Sequence, residues 1–406
     1  GGGLYMFQDN LYMDLSYMYI KNCTAAIGGG IALSAANNYF SMKDSMVENC
    51  TASALASVVS GAGSAGGMAI LQSNLYSSIV NTVFQYNTAV RGGGVELNAG
   101  NEFTVFAGCT FAYNTAAQTG AGLYVSLQNP NLFITDNHEG ELSITLQTEH
   151  PYLSGSVIGD QPYVIYNTTV EMPEASSYLL NFDPATSLYY ADTLAIYDNN
   201  VDRNVLAQYH DTLNYPGVNL PSLSINNNSF YIELYSTTYV SSDNSSYGFV
   251  LYVYPVVASP SMPTSFVCNK AGTDGGGMSV YNALTFPVII NANFVGNSAS
   301  NAGGGLFFDI AVVGAVMQAV LFEDNQAQTD GGAVALMAGN YGAVFNNCTV
   351  HNNHAAGYGG GVMMSSGNGV GVFASGNEIC FENSVFTNNR ATEGGALGAD
   401  QTNAVT

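Results

Sequence analysis

Small and apolar residues recur along this chain in one fixed order. Two or three small residues, mostly glycine, are followed by an apolar residue, any residue, and usually a second apolar one. The pattern reads Gly1-Gly2-Gly3-Leu4, Gly28-Gly29-Gly30-Ile31 and Gly92-Gly93-Gly94-Val95, and resumes as Gly303-Gly304-Gly305-Leu306. Its apolar markers are Leu4, Ile31, Met68, Val95, Leu123, Met278, Leu306, Val334, Val362 and Leu397. Most steps between markers are 27 or 28 residues; steps of 37 before Met68 and 35 before Leu397 imply small loops, and one of 155 before Met278 marks a large insertion. Eight or nine residues ahead of most markers stands a second motif, an apolar residue, two variable residues and Asn. It places Asn87, Asn114, Asn269, Asn297, Asn325, Asn353 and Asn389 in phase, with Tyr19…Asn22 and Met46…Asn49 filling the first two slots.

A fixed period of this length is the signature of a solenoid or propeller. Short alternating apolar runs separated by Gly and Asn are strands joined by turns. One period fits one coil of a parallel β-helix with three short strands. Equivalent residues of successive coils then stack about 4.8 Å apart. The Phe positions form an interior ladder, and the Asn side chains hydrogen-bond along their own. The expected fold is all-β: a right-handed parallel β-helix of about ten coils, with handedness from crossover chirality. Block one spans 1–127 and block two 264–406. The segment 128–263 lacks the repeat and is rich in Tyr and Pro, which predicts a β-sandwich.

Two resemblances sharpen this. Phe-x-x-Asn paired with Gly-Gly-Ala-(Ile/Leu/Val), literal at Gly331-Gly332-Ala333-Val334 and Gly394-Gly395-Ala396-Leu397, resembles the repeat of the chlamydial polymorphic outer-membrane proteins. That family implies an extracellular β-helix used in adhesion or surface architecture. Within the insertion, Asp192–Asp198, Ser229–Tyr235 and Gly248–Tyr252 resemble the second half of a CUB domain. This implies protein or glycan binding rather than catalysis. Many CUB domains hold Ca²⁺ with three carboxylates; Asp192 and Asp183 match two, and no acid stands near 236–238 for the third. No other cofactor is implied.

Charge narrows the function. The chain carries 6 Lys or Arg against 29 Asp or Glu, a net charge of -23, yet only 9% of it is charged and 47% is hydrophobic. So few basic residues cannot track phosphates, which excludes nucleic acid as a partner. No apolar run approaches the ~20 residues of a membrane-spanning helix, so direct membrane insertion is not expected. The neutral polar surface fits a secreted structural protein. N-glycosylation sequons stand at Asn22, Asn49, Asn167, Asn227, Asn244 and Asn347. The first two fall on the presumed inward ladder, and the insertion's three are the better acceptors.

Cys23 and Cys50 each follow a ladder Asn and lie 27 residues apart. They are expected on neighbouring coils within disulfide range, either bridged or as two buried thiols. The remaining cysteines have no zinc spacing. Asp274, Asp309, Asp330 and Glu393 lie near the Gly turns but occupy different slots, so no carboxylate pair for glycan cleavage is read here. His351 and His354 flank one ladder Asn, where turn polarity is the simpler role. The first outward residue after the glycines is apolar in most coils, including Tyr5, Tyr124, Phe307 and Met363. Such a strip is expected to pack on another subunit, on the insertion or on further chain. Both ends stop in mid-repeat, so the chain reads as part of something longer, with coil ends open to end-to-end pairing. Three functions follow in order. The first is a non-enzymatic, extracellular structural glycoprotein that self-associates, or joins related subunits, in a filament, surface appendage or matrix. The second is a cell-surface adhesin binding protein or glycan through the CUB-like insertion. The third is a polysaccharide lyase or hydrolase.

Overall fold

A computed structural model describes residues 1–53, 63–126, 129, 132–136, 144–147, 152–153, 163–171, 175–182, 186, 188, 192–209, 223–236, 245–246, 249–257, 262–281, 287–340, 342–365, 368 and 379–400. The described residues are all-β, without a helix. They fall into two compact units, one within Gly1–His138, Pro260–Val372 and Asn377–Thr406, the other within Glu139–Ser259.

In the first unit the first eight repeats each deposit one short strand in each of four parallel sheets, in chain order; the ninth reaches three of the sheets and the tenth one. The ten-stranded sheet runs from Leu4–Gln8 through Ile31–Ala35 to Leu397–Ala399. The second and third sheets have nine strands each, and the fourth has eight, from Thr24–Ala25 to His354–Ala355. This stacking is consistent with a parallel β-helix-like repeat. Register follows the markers: Leu4 pairs with Ile31, Val95 with Leu123 and Leu306 with Val334. The inward residues, among them Ile79, Phe84, Phe111, Met278 and Phe322, form one continuous apolar core. Phe84, Phe111, Phe266, Phe294 and Phe322 stack ring on ring with centroids 4.5–5.3 Å apart. The turn glycines are demanded by their neighbours: a Cβ on Gly304 would lie 2.3 Å from the Gly332 carbonyl oxygen.

The repeat continues across the long step without losing register. Leu123 pairs with Met278, and Phe111 with Phe266. Strand Leu132–Thr135 still belongs to the second sheet and Thr264–Val267 already to the third. The excursion therefore leaves within the fifth repeat, after Thr135, rather than at the expected 127. Thr264 closes the gap. Its hydroxyl lies 2.5 Å from the Thr135 carbonyl and accepts the Cys109 N–H at 3.1 Å.

The second unit has two antiparallel four-stranded sheets. One orders Ile144–Gln147, Val250–Val257, Ala175–Phe182 and Leu223–Ile225; the other orders Tyr163–Glu171, Ser229–Ser236, Asp192–Tyr197 and Val205–Tyr209. Tyr178, Leu180 and Phe182 of the first share one apolar core with Leu194, Ile196, Phe230 and Ile232 of the second. Among the described residues, Tyr152–Leu153 also pairs with Ser245–Ser246.

Candidate functional site

The asparagine ladder is a hydrogen-bonded chain. Asn87, Asn114, Asn269, Asn297, Asn325 and Asn353 each donate backbone N–H and side-chain Nδ2 to Oδ1 of the next repeat's Asn, ending at Asn389. The Nδ2···Oδ1 distances are 2.9–3.1 Å. Each Nδ2 also donates to the carbonyl of the inward apolar residue one repeat earlier, as Asn114 does to Phe84 at 2.8 Å. The first two repeats differ from expectation. Ile20 and Val47 align with Phe84, so the inward position is one residue later than Tyr19 and Met46. Asn22 and Asn49 are therefore not ladder residues. They stand exposed in a left-handed turn, at φ 58 and 52, with Asn49 Nδ2 donating to Asn22 Oδ1 at 2.7 Å. Cys23 and Cys50 take the ladder slot instead: the Cys50 N–H donates to Asn87 Oδ1 at 2.9 Å. All six cysteines are free thiols here.

A second asparagine ladder escaped the sequence reading. Asn10, Asn37, Asn74 and Asn101 each donate to the next Oδ1, ending at Asn129; later the Val312 N–H donates to Asn340 Oδ1 and the Asn340 N–H to Asn368 Oδ1. Its signal was present, because each of these Asn stands six residues after a marker. Two residues beyond the first four come Tyr12, Tyr39, Tyr76 and Phe103, all in left-handed turns at φ 55–59. Their rings stack face to face, with centroids 4.8, 5.1 and 5.1 Å apart and planes within 8°. The tyrosines are 72%, 45% and 46% exposed. Tyr86 and Tyr113 form a second exposed stack, 5.1 Å apart, in the turn that Asn22 and Asn49 occupy earlier.

The outward strip of the ten-stranded sheet is not free surface. Tyr124, Phe307 and Met363 are only 4%, 3% and 8% exposed, and Tyr5 alone, at 53%, is open. The strip's own flanks close over it: Ala302 and Met337 pack on Phe307 and Ala335, and Ala65, Ile27 and Leu71 pack on Ala32 and Ala69. A polar cluster lies midway. The Glu96 carboxylate is fully buried, 3.5 Å from Arg91 Nη2, and neither oxygen accepts a well-formed hydrogen bond. Arg91 lies over the Tyr124 ring, 5.4 Å from its centroid. Burial pushes the Glu96 carboxyl up to about 7, offset in part by Arg91.

Further along the same sheet, burial raises the Asp274 and Asp309 carboxyls, Asp309 also through the charge of Asp274. Asp274 Oδ1 accepts from Asn301 Nδ2 at 2.7 Å and from the Ala302 N–H at 3.0 Å, and Asp330 Oδ1 accepts the Tyr358 N–H at 2.9 Å. Both thus secure turns between repeats. Asp330 and Glu393 line a cavity of about 520 Å³ with Met337, Tyr358 and Met363. His351 Nδ1 pairs with Thr387 Oγ1 at 2.8 Å. Among the described residues no three His, Cys, Asp or Glu gather as metal ligands. Asp192 is buried at the start of its strand, and Asp183 lies outside the described residues. Of the sequons, Asn167, Asn227 and Asn347 are exposed, and Asn244 lies outside the described residues. In the second unit the Arg203 guanidinium packs over Tyr231 and Tyr197, 5.1 and 5.8 Å from the ring centroids. It pairs with Glu233 at 3.2 Å.

No protein-family model matches the chain, and no curated protein sequence does either.

Proposed function

We infer that this chain is a non-enzymatic, secreted structural glycoprotein. It self-associates, or joins related subunits, in an extracellular filament, surface appendage or matrix. The finer architecture we assign is a right-handed β-helix of the Phe-x-x-Asn / Gly-Gly-Ala-Ile type with a CUB-like sandwich inserted in its fifth coil. The observation that carries the reading is the exposed tyrosine stack over successive repeats. Rigid phenol rings offer large apolar area with a polar tip at small entropic cost, which is why Tyr is enriched at interfaces. A regular row of them suits a regular partner. This surface replaces the buried Tyr124–Met363 strip as the contact. The turn-capping work of Asp274 and Asp330 accounts for those carboxylates without catalysis. Tyr39→Ala combined with Tyr76→Ala leaves the fold intact, because both rings are solvent-facing, and shifts sedimentation from assemblies to monomer. Unchanged assembly in the double variant refutes the tyrosine row as the contact.

The second reading is a cell-surface adhesin that binds protein or glycan through the sandwich. The exposed Arg203 favours it: its guanidinium is held over the buried Tyr231 and Tyr197 rings and paired with buried Glu233, and arginine fixed in this way is common in binding surfaces. Arg203→Ala abolishing attachment of the full chain to immobilised extracellular glycans or cells, with assembly unchanged, selects this reading over the first.

A further inference from the structure

The ladder slot holds asparagine in seven successive repeats and cysteine in the first two. We propose that Cys23 and Cys50 form an intramolecular disulfide that replaces the missing amide ladder between these two repeats. Three observations support the pairing. Strands Thr24–Ala25 and Thr51–Ala52, which follow the two cysteines directly, pair in register, and the Thr51 N–H donates to the Cys23 carbonyl at 2.9 Å. In-register parallel neighbours lie about 4.8 Å apart, inside the Cα range of disulfides. In every asparagine step of this ladder the side-chain ends of neighbouring slots meet at 2.9–3.1 Å, so the slot itself directs adjacent side chains together. The Cys50 sulfur leans the same way as the asparagine amides. It lies 3.9 Å from the Ile20 carbonyl of the first repeat, the counterpart of the Asn114–Phe84 bond.

The two thiols are unequal. Cys23 is half-buried and Cys50 fully buried, its thiol pushed up to about 11 mainly by burial. Cys23 is therefore the group that meets an external oxidant. With a small disulfide such as oxidised glutathione, the Cys23 thiolate attacks one sulfur and expels one thiolate, leaving a mixed disulfide. Cys50, deprotonated, attacks the Cys23 sulfur and expels the second glutathione thiolate. Two protein thiols are oxidised, one small disulfide is reduced to two thiols, and the two protons pass to solvent or to those thiolates. The high pKa of Cys50 makes the second step slow and faster with rising pH.

The chain's scarcity of basic residues makes the test direct. Trypsin cuts after Lys21, Lys43 and Arg91, so Cys23 falls in peptide 22–43 and Cys50 in peptide 44–91, each alone. The full-length protein is equilibrated in glutathione buffers of increasing oxidised fraction at pH 8. It is then denatured with N-ethylmaleimide, freed of N-glycans and digested without reductant. The expected product is peptide 22–43 joined to 44–91, two hydrogens lighter than their sum and separated by reductant, with the other four cysteines carrying maleimide. In Cys50→Ser the expected species is Cys23 held as the glutathione mixed disulfide. Separate maleimide-labelled peptides at the most oxidising ratio overturn the proposal. So does a Cys23 linked to any other cysteine or to a second chain on a non-reducing gel.

Discussion

Glu96 is a carboxyl held where ionisation is costly. Its side chain is fully buried, and its one cationic neighbour, Arg91, sits at 3.5 Å and is shared with Ser64 and the Tyr124 ring. Burial raises its pKa from the ordinary 4.5 to about 7, against the opposing pull of Arg91, Ser64 and the Ala65 backbone. The folded state thus keeps this proton between pH 4.5 and 7, where the unfolded chain has released it. The native form binds more protons, so stability falls as pH rises through that window and levels off above it. At about 1.4 kcal/mol per unit, the full effect is about 3 kcal/mol. Glu96→Gln keeps the shape and removes the titration. Guanidinium denaturation of both proteins at pH 5 and pH 8 isolates the term, because Asp274 and Asp309 contribute equally to each. The variant gains about 3 kcal/mol relative to wild type between pH 5 and pH 8. A variant that instead loses stability at pH 8 means Glu96 is ionised and stabilised by Arg91, and the reasoning fails.

Asn297→Ala removes a residue that donates to Phe266 O and Asn325 Oδ1 and accepts twice from Asn269. Buried partners are stranded, and denaturation is expected to register a loss of about 3–5 kcal/mol. Two glycine variants separate backbone crowding from backbone conformation. Gly304→Ala drives a Cβ into the next repeat's backbone, and soluble expression is expected to collapse. Gly339→Ala, at φ 74 with nothing within 4 Å, costs about 1–2 kcal/mol.

The markers and the Phe-x-x-Asn phase were legible because buried positions tolerate few residue types. Phe294 must stack between Phe266 and Phe322, and glycine must stand where a neighbouring backbone passes. The first two repeats were misread by one residue because Asn serves two purposes in this fold. It satisfies the inward ladder at Asn87, and it tolerates the left-handed turn at Asn22 and Asn49. A sequence cannot separate these when Ile20 and Tyr19 are both apolar. Phe307 alternates with the core residues Leu306 and Phe308, yet alternation says nothing of what flanks a strand. Ala302 and Met337 close it by packing, a tertiary effect. The tyrosine row was hidden for a related reason: its aromatics occupy turns rather than strands, and only stacking across repeats gives them a common face.

Electron microscopy of the native material addresses the central claim most directly. The account predicts regular assemblies in which neighbouring subunits meet through the Tyr12–Tyr39–Tyr76 row, with glycan density at exposed sequons such as Asn167 and Asn347. Discrete monomers with that row facing solvent would contradict it.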